Sequence, residues 1–346
     1  MAILLTIVIP TFNRGKTLAL LLDAITKQLE GLENQVNIIV GDNASTDETQ
    51  SITQSFLISC PNATILRHAE NIGPDENFCR CLDRVRTKYF WIIGDDDLPK
   101  PSILKHILHF LAKNNPDLLY LNSEWTPKIL SESDGKKIDL LSVIALSRQE
   151  FSRYVNVWIT FISGMIVNRE RLLRLQPDLN IRQFTGTSLV QLGWVLPLLM
   201  KGERFFFILQ PCILATSGNS GGYKLLEVFA KNFPEILQLV CGKGSTEFNF
   251  VMRGLVRNYI PSLIWMCRFQ TAKTFLQEDL SRSTRSLRAY PTYWLLSFPI
   301  LTSPKSIAYV FWFISRVFGV INRFSLRLKL ILLKNPDIIA IKRESL

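Results

Sequence analysis

Histidine is scarce: His68, His106 and His109 are the three in 346 residues. They form no metal constellation; His106 and His109 lie three apart on one helix face with no further ligand in the pattern. Six cysteines (Cys60, Cys79, Cys81, Cys212, Cys241 and Cys267) are scattered, several within apolar stretches. None has a metal-ligand spacing with histidine, and no disulfide framework is suggested. There is no Gly-x-x-x-x-Gly-Lys-Ser/Thr loop, no Gly-x-Gly-x-x-Gly after a strand and no Gly-x-Ser-x-Gly elbow. P-loop, dinucleotide-binding and nucleophile-elbow chemistries therefore drop out. Low-complexity tracts and fixed-period repeats are also missing, which excludes disorder and repeat architectures. The stretch from Met1 to Pro10 is apolar but has neither a basic n-region nor a small-residue cleavage site, so it reads as a buried strand. With the cysteine pattern this sets the expectation of a reducing, cytoplasmic location.

Apolar and aromatic residues are abundant: 47% of the chain is hydrophobic, with 22 Phe and 7 Trp. The net charge of +11 is unevenly placed. Residues 1–252 carry 25 Lys and Arg against 25 Asp and Glu, whereas residues 253–346 carry 15 against 4, so the whole excess lies in the last 94 residues. There the basic residues are interleaved with apolar runs, Tyr293 to Leu301 and Ile307 to Ile321. That mixture fits a lipid surface better than a nucleic acid, and no nucleic-acid partner is expected. A spanning helix needs about 20 apolar residues. The expectation is therefore of helices lying in the interface, with Arg316, Arg323, Arg327 and Lys329 reaching headgroups; an amphipathic bundle packed on the rest of the chain is the alternative.

In the first 122 residues strand-like and helix-like patterns alternate. Strands are predicted at Leu5 to Ile9, Val36 to Val40, Ala63 to Leu66, Tyr89 to Ile93 and Leu118 to Leu121. A helical spacing runs from Lys16 to Leu29. Ser45-Thr46-Asp47-Glu48 has the form of a capping box, with Ser45 as N-cap, and Pro74 suits the first position of a helix. Such alternation predicts an α/β fold with a mainly parallel sheet flanked by helices. Ligands in these sheets gather beyond the carboxyl ends of the strands. Four polar clusters fall at four such ends: Thr11 to Arg14, Gly41 to Asn43, Arg67 to Asn71, and Gly94 to Asp97. Residues 123–245 are mixed in pattern, and 246–346 are helical, basic and apolar.

Asp95-Asp96-Asp97 puts three carboxylates on one strand end, which is unfavourable unless a cation offsets them. Mg²⁺ and Mn²⁺ take oxygen ligands, commonly one or two carboxylates plus substrate phosphates. The plain reading is a solvated loop capping the helix that starts near Lys100. Asp42, alone after the second strand, can accept hydrogen bonds from ribose hydroxyls or a base N–H, or can be a turn residue.

The segment from Leu5 to about Lys113 resembles the family-2 glycosyltransferases, which have the GT-A fold. The matching motifs are Thr6-Ile-Val-Ile-Pro-Thr-Phe-Asn-Arg14, Val40-Gly-Asp-Asn-Ala-Ser-Thr-Asp47, Asn71-Ile-Gly-Pro-Asp-Glu-Asn77 and Trp91-Ile-Ile-Gly-Asp-Asp-Asp-Leu-Pro99. The resemblance implies that Pro10, Thr11 and Asn13 line a nucleotide pocket, with Arg14 near the phosphates. Asp42 would bind the base or ribose, and Asn71 and Gly73 would shape the loop over the donor. The family often shows Asp-x-Asp-Asp, which puts Gly94 at the first position, Asp96 as the foremost metal ligand, Asp97 beside it and Asp95 on the donor. It implies a divalent Mg²⁺ or Mn²⁺, and an enzyme moving sugar from a nucleotide-sugar donor to a saccharide or lipid-linked saccharide acceptor. The setting would be surface polysaccharide or O-antigen assembly, at the inner face of the cell membrane. A GT-A domain at 1–245 would comprise a nucleotide-sugar half, 1–122, and an acceptor half, 123–245; the region 246–346 would associate with the membrane.

The family usually places an acidic pair where this chain has Val190 and Gln191, ahead of Lys201-Gly202. A Gln amide cannot act as a general base, so the base is unassigned, with Asp178 and Glu124 as substitutes. Ser217 to Gly222 reads as a loop closing on the donor or as a plain connection. Trp125 and Trp158 read as sugar-stacking or core residues. Two rival readings remain: a sugar nucleotidyltransferase, poorly matched by Pro-Thr-Phe-Asn-Arg after the first strand, and a non-catalytic nucleotide-sugar-binding scaffold, suggested by the missing acid at Gln191.

Overall fold

The computed structural model describes residues 3–126, 137–216, 222–269, 275–332 and 338–342, from residue 322 onward as backbone alone. The Ser217 to Gly222 segment, all but its last residue, and the side chains of Arg323, Arg327 and Lys329 lie outside the described residues.

The first half is built as the alternation predicts: β1 (Leu5–Thr11), α1 (Gly15–Leu29), β2 (Val36–Asp42), α2 (Thr49–Ser59), β3 (Ala63–Arg67), α3 (Pro74–Leu82) and β4 (Tyr89–Ile92). β1 is buried along its whole length, which is why its sequence is a continuous apolar run with no alternation. α1 turns Leu18, Leu21, Leu22, Ile25 and Leu29 into one buried stripe. Pro74 occupies the first turn of α3, where a missing N–H leaves no helical bond unmade. The four strands are parallel, in the order β4-β1-β2-β3.

The capping box does not form. α2 begins at Thr49, and Asp47 Oδ1 accepts from the Thr49 amide at 3.1 Å. The Ser45 hydroxyl instead accepts from the Asn13 amide at 2.9 Å. A tertiary partner has taken the group that local sequence assigned to the helix.

Beyond the acidic loop come β5 (Leu98–Pro99), α4 (Ile103–Asn114), β6 (Leu118–Thr126), β7 (Leu140–Leu146), α5 (Arg148–Val155), β8 (Met165–Asn168), α6 (Arg169–Leu175), α7 (Leu192–Lys201) and β9 (Phe205–Thr216). Here the sheet becomes mixed. β8 runs antiparallel between β4 and β6, β9 is parallel to β6, and β7 and β5 pair antiparallel with β9. A last strand, β10 (Ile338–Lys342), returns to pair antiparallel with β7. Side chains on one sheet face, among them Ile7, Ile9 and Trp91, pack with α1 and α4. The other face, with Val8, Phe90 and Ile92, packs with residues of α3, α5 and α7.

The remaining helices are α8 (Phe233–Cys241), α9 (Thr246–Gly254), α10 (Ile260–Phe269), α11 (Leu280–Ser283), α12 (Phe298–Thr302) and α13 (Lys305–Leu332). Core residues of these helices and of the turns between them, including Leu226, Leu255, Ile264, Tyr293 and Ala308, join the second of those sheet-face clusters. The change from sheet to helix follows Thr216, and Cys241 and Phe248 belong to the same buried cluster. α13 buries Ala308 and Ser315 and stacks Trp312 on Trp265 at 5.2 Å. Its opposite side exposes Ile307, Val310, Phe313, Val317, Val320 and Ile321. Among the described residues no helix is long and apolar enough to cross a membrane.

One glycine fixes how closely α3 approaches the sheet. A Cβ on Gly41 would stand 2.3 Å from Cys81 Sγ and 2.8 Å from Asn77 Oδ1. Asn77 Nδ2 also donates to the Gly41 carbonyl at 2.9 Å. Gly41→Ala is therefore expected to destabilise the fold by about 1–3 kcal/mol through overpacking, read as a lower urea midpoint; an unchanged midpoint would show that α3 can retreat freely.

Candidate active site

The order β4-β1-β2-β3 reverses direction at β1, so the crevice beyond the carboxyl ends of β1 and β4 is a topological switch point. The acidic loop leaves β4 into that crevice, and Arg14 reaches it from the end of β1. Arg14 Nη1 donates to Asp95 Oδ1 at 2.9 Å and to Asp96 Oδ2 at 2.7 Å. Thr11 Oγ1 donates to Asp95 Oδ2 at 2.7 Å. Asp97 is held from the other side: Ser163 Oγ donates to its Oδ2 at 2.5 Å, and the Thr216 amide to its Oδ1 at 3.3 Å. Thr216 Oγ1 also donates to the Asp96 carbonyl at 3.0 Å. The loop is thus tied to β1, to the segment entering β8 and to the end of β9.

The three carboxylates are not equivalent. Asp95 and Asp97 are buried, and Asp96 is partly exposed, its side chain retaining 16% of its accessible surface. Burial pushes the Asp95 carboxyl up to about 6, with Arg14 pulling it down and Asp96 adding to the rise. Burial, then the neighbouring Asp96 charge, raises Asp97 to about 7 against the Ser163 hydroxyl. Burial works against the charge of Arg14, but Asp95 and Asp96 outweigh it and hold Arg14 above its usual value. At Gly94 an added Cβ would come 3.1 Å from Asp96 Oδ1, 3.3 Å from Asp97 Oδ2 and 3.5 Å from Ser163 Oγ. An acidic side chain at this position would crowd two carboxylates, which accounts for glycine at the first place of the acidic motif.

Among the described residues, no three His, Cys, Asp or Glu side chains converge as a metal-holding group. Both Asp97 oxygens already accept hydrogen bonds. The donor set fits a divalent ion held by Asp96 together with the phosphate oxygens of a substrate, the usual mode for Mg²⁺, rather than a cage made by protein alone.

A second polar cluster follows β2 and β3. Asp42 is buried, accepts from the Ser45 amide at 2.9 Å and pairs with Arg67, whose Nη2 donates to the Ser45 carbonyl at 3.0 Å. Asn13 adopts a left-handed backbone (φ 52), and its Oδ1 accepts from the Thr46 amide at 2.8 Å. Asp47 Oδ2 accepts from the Gly15 amide at 2.9 Å. Asn43 Nδ2 donates to Asn71 Oδ1 at 2.8 Å, and that same oxygen accepts from the Gly73 amide at 2.9 Å. Asn71 and Gly73 shape the loop leading into α3 through this network.

Pro10, Thr11, Asn13, Arg14, Asp42, Asn71, Gly73 and the three aspartates all lie at the carboxyl-end rim of β1 to β4. The substitutes for the missing base do not join them in the same way. Asp178 is exposed between α6 and α7, and Glu124 pairs with Lys100 at 2.7 Å. Val190 is buried, and the buried Gln191 donates from Nε2 to the Thr160 carbonyl at 2.7 Å. Neither position of α7's entry can take a proton. Ser163 and Thr216 were missed by sequence reasoning, as was the pairing of Arg67 with Asp42. Arg67 stood in a polar strand-end cluster, but nothing in the local sequence of Ser163 or Thr216 signals their role. A polar cavity of about 250 Å³, lined by Lys88, Asp117, Asn168, Arg171 and Arg204 among others, lies at the amino end of β4, remote from this chemistry.

Residues 6–172 match the family described as glycosyl transferase family 2. Abequosyltransferase RfbV of Salmonella typhimurium is 36% identical over 102 residues, 29% of this chain and 30% of that protein. A PGL/p-HBAD biosynthesis glycosyltransferase of Mycobacterium tuberculosis is 28% identical over 117 residues, 33% of this chain and 44% of that protein. The matched segments span less than half the length of either relative. The structure of S. aureus TarS 1-349 in complex with UDP-GlcNAc aligns with a TM-score of 0.59 at 15% identity, covering 91% of this chain and 89% of that one. Mannosyltransferase PcManGT from Pyrobaculum calidifontis, in complex with GDP-Man and Mn²⁺, gives 0.50 at 15% identity, covering 97% and 89%. At such identities the likeness is one of fold, and the fold is of the GT-A glycosyltransferase type that the motifs implied.

The buried aspartates make a pH prediction. Asp95 and Asp97 hold protons more tightly folded than unfolded. The stability this confers is complete below about pH 4, the ordinary carboxyl range, and is lost as pH rises through 6 to 7, each unit of raised pKa being worth about 1.4 kcal/mol. In metal-free buffer the thermal midpoint of Asp97→Asn should fall less between pH 5 and pH 8 than that of the wild type. Parallel curves for the two proteins would refute the assignment of the slope to Asp97.

Proposed function

With residues 6–172 a glycosyl transferase family 2 domain, we propose that the chain transfers a sugar from a nucleoside-diphosphate sugar to a hydroxyl of a saccharide acceptor. The observation that carries this reading is the meeting of Arg14 with Asp95 and Asp96 at the switch point between β1 and β4. A donor would lie along the rim of β1 to β3. Asp42 and Arg67 are placed to meet its base or ribose, Asn13 and the Asn71–Gly73 loop to enclose it, and Arg14 to face its phosphates. Asp96 would hold a Mg²⁺ or Mn²⁺ with the donor phosphates, and that ion supplies stabilisation of the departing nucleoside diphosphate. Asp97, fixed by Ser163 and Thr216, sets the position of the loop.

The acceptor is inferred to be lipid-linked and the protein to work peripherally at the inner face of the cell membrane. Support comes from α13, whose exposed apolar side carries Arg316, and from the +11 excess of the last 94 residues. Apolar surface flanked by cations matches the chemistry of an anionic lipid interface.

Nucleoside-diphosphate release from UDP-, GDP-, CDP- and dTDP-sugars, with and without Mn²⁺ or Mg²⁺ and in the presence of membrane extract, tests the transfer. Metal-dependent release from one donor is expected, falling on the order of 10²-fold or more in Asp96→Ala. Nucleotide binding without release would mark a non-catalytic nucleotide-sugar binder instead. For the membrane, the protein is expected to float with phosphatidylglycerol-containing vesicles at low salt and less so at high salt. Phe313→Glu combined with Val317→Glu should abolish flotation with the thermal midpoint retained; equal flotation of the variant would remove α13 from the contact.

A further inference from the structure

The acidic loop has two flanks, and the donor reading uses one of them. In strand order β1, β2 and β3 lie on one side of β4, while β8, β6 and β9 lie on the other. The loop after β4 crosses to that second side, where Leu98 and Pro99 pair with Leu214 and Ile213 of β9. Thr216, at the end of β9, bonds the Asp96 carbonyl and the Asp97 carboxylate. The residue opposite Ala215 in the neighbouring strand is Trp125 of β6.

Trp125 is 42% exposed although it sits in a strand next to the most polar point of the molecule. Its ring does not stand alone. Trp158 lies with its centroid 5.3 Å away at an interplanar angle of 36°, and Phe161 lies at 4.9 Å and 50°. Trp158 is in turn backed edge-on by Tyr259 at 5.8 Å. The segment carrying Trp158 and Phe161 is fixed at both ends. Gln191 holds the Thr160 carbonyl, while Ser163 bonds Asp97 through its hydroxyl and accepts from Trp91 Nε1 at 2.8 Å through its carbonyl. Gly164 leaves room for the Phe161 ring, since a Cβ there would meet Phe161 Cδ1 at 2.7 Å. The result is a rigid aromatic wall with one open indole, one residue along the sheet from Thr216, which holds Asp96 and Asp97.

We propose that Trp125, backed by Trp158 and Phe161, is the platform on which the acceptor saccharide stacks a sugar ring, beside Asp96 and across the acidic loop from the donor. This rests on the transfer reading above. A pyranose presents an apolar C–H face and a hydroxyl rim. An exposed indole matches that face with large, rigid contact area and little rotamer entropy to lose. Hydroxyls at the ring's edge would then point toward the loop at which the donor's sugar–phosphate bond is placed. The same arrangement gives the buried Gln191 a task other than proton transfer: it positions the aromatic segment through Thr160.

The test uses the full chain with octyl β-glucoside, octyl β-galactoside and octyl α-mannoside below their micellar concentrations, in the presence of UDP, GDP, CDP or dTDP and Mn²⁺. Binding is followed by saturation-transfer NMR, and nucleotide affinity is measured in parallel by calorimetry. At least one hexoside is expected to bind the wild type with its ring C–H protons most strongly saturated. Trp125→Ala should weaken that binding at least tenfold and Trp125→Phe should recover most of it, with nucleotide affinity equal in all three proteins. Hexoside binding unchanged in Trp125→Ala, or absent from the wild type, would overturn the proposal. Failure of the wild type to bind any of the four nucleotides would instead sink the transfer reading, so the two failures are separable.

Discussion

Everything at the carboxyl edge of this sheet depends on keeping three adjacent carboxylates in one turn, two of them buried. Without counter-charge and donors such a turn would open, because each desolvated carboxylate resists ionisation. The structure answers with one guanidinium and two hydroxyls drawn from two distant parts of the chain, the end of β1 and the segment entering β8. Arg14 spans Asp95 and Asp96, Thr11 completes Asp95, and Ser163 takes Asp97. Even so, Asp95 and Asp97 stay well above the ordinary carboxyl range. The site is therefore short of positive charge by construction.

That constraint propagates outward. Arg14 can reach the loop because Asn13 turns left-handed ahead of it, and Asn13 is held there by Ser45 and Thr46 of the next strand-to-helix connection. Asp47 ties the same connection to the start of α1 through the Gly15 amide. A Cβ on Gly15 would stand 2.5 Å from Glu48 Cγ, so a larger residue there would have to displace that side chain. The first and second connections thus behave as one piece, and the third joins them through Asn43 and Asn71. The rim is preorganised by short polar contacts between loops that parallel strands deliver to the same edge.

This explains what could be read from the sequence and what could not. Strand ends in a parallel sheet all face one way, so polar clusters after four apolar runs identify the rim without any knowledge of contacts. Thr11, Asn13, Arg14, Asp42, Asn71 and Asp95 to Asp97 were legible for that reason, and the fold type with them. Ser163 and Thr216 were not, because they reach the rim through the mixed part of the sheet. There β8 runs against β4, and β9 arrives beside β6 from far along the chain. Their roles exist only in the register of those pairs. The failed capping box at Ser45 has a related cause: a local rule competes with a tertiary donor, Asn13, and loses. Past Thr216 the core runs on without interruption from Leu226 to Ala308, through the point at 252/253 where the charge balance changes.

The same mixed half of the sheet also bears on why the entry to α7 carries Val190 and Gln191. The side chains are buried, and Gln191 is spent on the Thr160 carbonyl. A carboxylate in place of this amide would lose the N–H that Thr160 accepts and would set its charge against a carbonyl oxygen, in surroundings that include the buried Ile159 and Trp194. The segment 156–164 would then lose its anchor at Thr160, and Ser163 with it would be less firmly held against Asp97. The amide is thus consistent with the geometry of the acidic loop in a way that an acid is not. This amide anchors the Thr160 carbonyl and cannot accept a proton as a general base would.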